Sequence, residues 1–129
     1  MRLWHEKLLT KLSRPHILSQ HRECCALRGK GWGRKHATVD YVFKHDYIKL
    51  YYYHVLVMKE MRARGYKPDK IWDNPQYRGK ILKYDLSDFT KEDIDLFTSP
   101  VYGEHDEQYL QECIDRLIEK GYSENVDFG

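Results

Sequence analysis

The amino-acid sequence predicts an all-α fold, a single compact domain of about three main helices. Three observations predict it. Apolar residues recur at helical spacing in two long segments, each helical segment has start or stop residues at its ends, and the 129 residues suit one domain with one modest core. A first helix is expected near 14–28, with Ser13 at its N-cap, Pro15 in its first turn and Gly29 at its end. Residues 29–35 (Gly-Lys-Gly-Trp-Gly-Arg-Lys) form a basic, glycine-rich loop, and 36–44 are short and ambiguous. Asp46 is placed to cap a long helix that runs to Gly65, in which Ile48, Tyr51, Tyr52, Val55 and Met58 share a face. The Tyr51-Tyr52-Tyr53 run has strand propensity as well, but the helical pattern continues to a glycine stop. Residues 66–86 carry two prolines and little periodicity, so they read as a long connection. Ser87 or Thr90 can start a short helix. A last helix is expected from His105 to Lys120, amphipathic through Tyr109, Leu110, Cys113, Leu117 and Ile118, with Gly121 ending it.

Composition narrows the function. Hydrophobic residues make up 41% and charged residues 33%, which excludes a disordered chain, and no apolar run approaches the length of a membrane span. The first residues are charged early, without the apolar stretch of a secretory signal, and the adjacent Cys24 and Cys25 make an odd set of three with Cys113. An intracellular protein is therefore expected. The net charge of +2 hides an asymmetry. Residues 1–65 hold 14 lysines and arginines against 5 acidic residues, a net of +9, and residues 66–129 hold 8 against 15, a net of −7. A basic half of this size suits a nucleic acid, although a solvated basic surface has the same composition.

Three groups of residues can carry chemistry. His16, Gln20, Glu23 and Leu27 fall along one helix face, and only Leu27 is apolar there. Glu23, with Arg22 beside it and Arg28 further along, is a candidate acid or base, though the same stripe describes a solvated face. His21, Cys24 and Cys25 can converge on one metal ion, but no second Cys/His pair has zinc-type spacing, and vicinal cysteines on a helix serve equally as small apolar residues. The glycine loop sets Arg28, Lys30, Arg34, Lys35 and His36 around Trp32, so its backbone can approach phosphates while Trp32 stacks or wedges at a base step. No Walker-type spacing accompanies it.

Taken in order along the chain, these residues resemble the pyrimidine-dimer DNA glycosylases, the phage endonuclease V family. Met1-Arg2-Leu3 resembles that family's N-terminus, and His16 followed by Arg22-Glu23 has the spacing of its His, Arg and essential glutamate. Arg28 followed by Arg34-Lys35-His36 repeats its Arg and Arg-Lys-His triplet, displaced by a short insertion after Glu23. Pro75-Gln76-Tyr77-Arg78-Gly79 is similar to an element in its long interhelical connection. The resemblance is clearest over 1–84; residues 85–129 are the acidic, helical C-terminal part of the same domain.

The resemblance implies three helices with the N-terminal segment threaded between them. It implies a glycosylase coupled to an abasic-site lyase, in which the N-terminal α-amine attacks the sugar C1′, displaces the base and leaves an imine, after which β-elimination breaks the strand. An α-amine in a simple peptide has a pKa of about 7.7–8.0, and neighbouring cations such as Arg2 and Arg22 favour its neutral form. Arg2 is too large to permit methionine removal, so Met1 is the expected nucleophile in place of the family's usual threonine. Glu23 would steady the positive charge at C1′ and move protons, while Arg2, His16, Arg22 and Arg28, with Arg34 and Lys35 outside them, would hold DNA. No cofactor and no metal is implied; the expected partner is double-stranded DNA with a damaged base or abasic site, bound by a monomer. The chain departs from the family at its end, where the prototype's aromatic, basic tail is replaced by an acidic one.

Overall fold

The computed structural model describes residues 2–29, 41–42, 45, 47–79 and 101–122. The chain enters through an extended stretch, 2–5, and a 3-10 helix, Glu6–Lys11, opened by the His5 ring, which accepts from the Lys7 amide at 3.1 Å. Helix α1 then runs Arg14–Arg28, α2 Tyr47–Ala63 and α3 Glu107–Glu119, and a second 3-10 turn, Lys70–Asp73, lies in the connection after α2. The expected all-α architecture holds, and among the described residues none of the helices is long and apolar enough to cross a membrane.

Each helix has the boundary its sequence encodes, with two corrections. Ser13 occupies the N-cap of α1 but its side chain makes no capping bond, and its amide instead donates to the Tyr122 hydroxyl. Helix α3 starts at Glu107 rather than His105, because the Asp106 carboxylate caps it by accepting from the Tyr109 amide at 2.8 Å. Two ends share one device. Gly65 and Gly121, both at positive φ, close α2 and α3, and the amides of the following Tyr66 and Tyr122 bond back to Met61 and Leu117. That turn folds each tyrosine onto the core. Gly29 ends α1 for a different reason: a Cβ there would sit 3.3 Å from the Arg78 carbonyl oxygen, where the connection crosses the helix end. The expected cap Asp46, most of the glycine loop and the short helix near Ser87 or Thr90 lie outside the described residues.

Helix α2 is the central element. Tyr47, Ile48, Leu50, Tyr53, His54, Val57, Met58 and Met61 are buried around much of its circumference, which is why its apolar stripe is wide rather than one-sided. Helix α3 is a surface helix that buries Cys113 and Leu117 and leaves its acidic face in water. The N-terminal segment runs into the space between the helices, with Leu3 and Leu8 fully buried and Trp4 and His5 nearly so. Removing a leucine side chain from water contributes about 2 kcal/mol, so this segment is held as firmly as a helix face.

Candidate nucleic-acid interface and active site

His16, Ser19, Gln20 and Glu23 stand at i, i+3, i+4 and i+7 of α1, and that spacing turns them to one side. There they form the wall of an open cleft of about 360 Å³. Arg2 and Trp4 of the N-terminal segment line a second side, and Arg116 and Lys120 from the end of α3 line a third. One carboxylate and one imidazole thus face three cations. The Arg2 guanidinium lies 5.8 Å from the ring centroids of both Trp4 and Tyr109, a sandwich that limits where it can point. Glu23 is half-buried, with one carboxylate oxygen shielded from solvent.

His16 is held from behind. Tyr122 stacks on its ring at 5.4 Å, and the Tyr122 hydroxyl lies 2.7 Å from Nδ1. That hydroxyl also accepts from the Ser13 amide, so one side chain anchors both the imidazole and the start of α1. Burial and the nearby Lys120 hold the His16 pKa below its ordinary value, which keeps the ring neutral at pH 7.

The residues singled out in the sequence divide into three groups. Arg2, His16 and Glu23 come together in the cleft. Arg22 is exposed on the neighbouring flank of α1, about 100° around the helix from Glu23. Met1, Arg34 and Lys35 lie outside the described residues.

Arg28 requires a correction. Expected to hold DNA, it is fully buried, and every N–H of its guanidinium is used inside the protein. Nε donates to the Tyr47 hydroxyl, one terminal nitrogen to His54 Nδ1 and the Trp72 carbonyl, and the other to the carbonyls of Asn74 and Tyr77. The Arg78 Nε in turn donates to the Arg28 carbonyl at 2.6 Å, with its guanidinium 3.7 Å from the Tyr47 ring centroid. The Pro75–Gly79 element is thus the partner of Arg28, and together they pin the connection to the end of α1.

A second cluster sits behind the cleft. His21, Cys25 and His54 bring one ligand atom each within 4.8 Å of one another. Cys24 is not part of it: it is fully buried in the core. Hydrogen-bond direction decides how the cluster reads. A guanidinium only donates, so His54 Nδ1 accepts from Arg28 and a neutral His54 carries its proton on Nε2. That proton points to His21 Nδ1 at 2.8 Å, and His21 Nε2 then faces Cys25 Sγ at 3.8 Å. A metal at His54 Nε2 would have to displace this proton next to a fixed cation, and metal-bound imidazoles ordinarily donate through their other nitrogen. The donor set fits a hydrogen-bonded chain, Arg28 to His54 to His21 to Cys25. Burial and Arg28 hold His54 well below its ordinary pKa, and burial pushes the Cys25 thiol up to about 12.

Sequence reasoning missed Trp4, Ser19, Arg116 and Lys120. A signal existed for the last two, a cation pair at i, i+4 in the final turn of a helix whose remainder is acidic. Summing charge over halves concealed it.

A family model described as pyrimidine dimer DNA glycosylase matches residues 1–74, which covers the N-terminal segment, α1, α2 and the second 3-10 turn. No curated protein and no solved structure matches the chain. The matched stretch supplies Arg2, His16 and Glu23, the cleft residues that the sequence had already set in order, and it spans more than half of the molecule: the chain belongs to the pyrimidine dimer DNA glycosylase family.

Proposed function

We propose that the cleft excises a damaged base, a pyrimidine dimer, from double-stranded DNA and then breaks the strand at the resulting abasic site through an imine on the α-amine of Met1. The observation that carries this reading is the gathering of Glu23, His16 and Arg2 with Arg116 and Lys120 in one cleft beside the N-terminal segment. The family match supports the glycosylase half of it.

In this reading the neutral α-amine attacks C1′ and the base departs with the glycosidic electron pair, taking a proton from solvent or an acidic group in the site. The Glu23 carboxylate, partly withdrawn from water, opposes the positive charge at C1′ more strongly than an exposed one would. It then accepts the amine proton and returns it to O4′ as the C1′–O4′ bond breaks and the sugar ring opens to the imine. Loss of a C2′ proton expels the 3′ phosphate, and water hydrolyses the imine to free the amine. Arg2, Arg116 and Lys120 hold the phosphates flanking the lesion, which places the strand across the cleft, and Arg22 on the flank of α1 meets the backbone further out. The cations along the cleft favour a neutral amine. Nothing in the sequence of steps calls on a metal or a cofactor.

The test is strand scission on duplexes carrying an abasic site, a cyclobutane pyrimidine dimer or an oxidised base. Cutting at the dimer and at the abasic site is expected. Tight binding to all three with no cutting of any would replace the enzyme with a non-catalytic DNA-binding protein of the same fold.

A further inference from the structure

The backbone of residues 2–4 is tied down by one side chain from each helix. Gln20 of α1 donates through Nε2 to the Arg2 carbonyl at 2.6 Å and accepts through Oε1 from the Trp4 amide at 3.0 Å, as a neighbouring strand would. Tyr109 of α3 donates its hydroxyl proton to the Leu3 carbonyl at 2.6 Å. Tyr53 of α2 places its hydroxyl between the Trp4 carbonyl at 2.5 Å and Gln20 Oε1 at 2.8 Å, so its one proton bridges the two. Gln20 and Tyr53 are 2% and 0% exposed.

Three consecutive carbonyls and one amide are thereby assigned a partner each, while Leu3 and Trp4 insert their side chains into the core. A slip of one residue would exchange a carbonyl for an amide against Gln20 and turn Leu3 out of the core. The segment therefore has one register. Gln20 also lines the cleft itself, and the Tyr109 ring lies under Arg2, so the tether and the site share walls.

We propose that Gln20, Tyr53 and Tyr109 are positioning residues for the nucleophile: they fix the Arg2–Trp4 backbone so that the amine of the preceding residue enters the cleft in a single register. This rests on the reading that the α-amine is the nucleophile. That amine belongs to the residue bonded directly to Arg2, so the tether sets the point from which it must reach the sugar. The tether grips backbone and not side chains.

The experiment is single-turnover borohydride trapping on an abasic-site duplex at saturating protein, beside the dissociation constant for a non-reactive abasic analogue and the thermal midpoint. Tyr109→Phe removes one hydroxyl but keeps the ring under Arg2, so the protein should fold. Gln20→Met removes the backbone tether at similar volume. Trapping should slow by roughly tenfold in Tyr109→Phe and on the order of 10²-fold in Gln20→Met, the scale of an ångström of misplacement, with the dissociation constant unchanged. A purely structural role would lower the thermal midpoint and leave the trapping rate of folded, saturated protein at the wild-type value, and that result overturns the inference. If wild-type protein itself gives no adduct at Met1, the nucleophile reading falls and the inference falls with it. If wild type traps and both variants trap equally fast, the inference alone falls.

Discussion

Replacing Arg28 by lysine separates two roles that the sequence could not. The guanidinium makes five hydrogen bonds, to Tyr47, His54, Trp72, Asn74 and Tyr77. At about 1–1.5 kcal/mol net for each, their complete loss would cost roughly 5–7 kcal/mol, comparable with the whole stability of a small domain. Lysine keeps the charge and three donors but not the planar fork, so it can satisfy about half of these acceptors and leaves the others buried and unpaired. A loss of about 3 kcal/mol is expected, which for a domain of this size lowers the thermal midpoint by roughly 10 °C. Urea unfolding of Arg28→Lys, with DNA affinity measured well below its midpoint, is the assay. The expected outcome is a large fall in midpoint with unchanged affinity for an abasic analogue. A fully stable variant that binds DNA weakly would show that Arg28 meets phosphate after all and that the buried arrangement is wrong.

Three further outcomes follow from the cleft and the core. Glu23→Gln should keep the thermal midpoint and DNA affinity while base excision falls by at least about 10²-fold, the scale expected for one preorganised charge; a variant cutting dimer duplexes at the wild-type rate would remove Glu23 from the chemistry. Arg116→Ala with Lys120→Ala should weaken binding and flatten the salt dependence of log K by nearly two units of slope, about 0.9 for each phosphate contact, and an unchanged slope would place both outside the interface. Stability should fall on acidification. Burial holds His5, His54 and His105 below their ordinary values, His105 at about 3 with His5 adding to its burial. Above pH 6.5 these rings are neutral in both folded and unfolded chains, so their contribution is fully present. As pH drops from 6.5 towards 3 the unfolded chain takes up protons that the folded one refuses, removing up to about 1.4 kcal/mol per unit for each ring. A urea midpoint that stays flat between pH 7 and 5 would contradict this.

Much of the fold was written in local patterns. Gly65 and Gly121 stop their helices because only glycine takes their backbone conformation cheaply, and the stripe of His16, Gln20 and Glu23 looked polar because it walls a cleft. The 3-10 helix at Glu6–Lys11 was not legible: Leu8, Leu9 and Leu12 stand at i, i+1 and i+4, a spacing an α-helix shares, and six residues are too few for periodicity to separate the two. Arg28 was misread because a buried and an exposed arginine are identical in sequence. Its burial depends on carbonyls 44 to 49 residues away, a pairing created only when the connection folds back over α1. Arg116 and Lys120 were hidden in the same way, since α3 meets α1 only in the folded molecule.

Whether the amine of Met1 is the nucleophile is decided by borohydride trapping on an abasic-site duplex followed by peptide mapping of the adduct. An amine nucleophile gives a stable protein–DNA adduct attached at the N-terminal peptide, retained in the presence of a chelator and abolished by acetylation of the α-amine or by an uncleaved N-terminal tag. An adduct on an internal lysine, or full activity with the α-amine blocked, would contradict it.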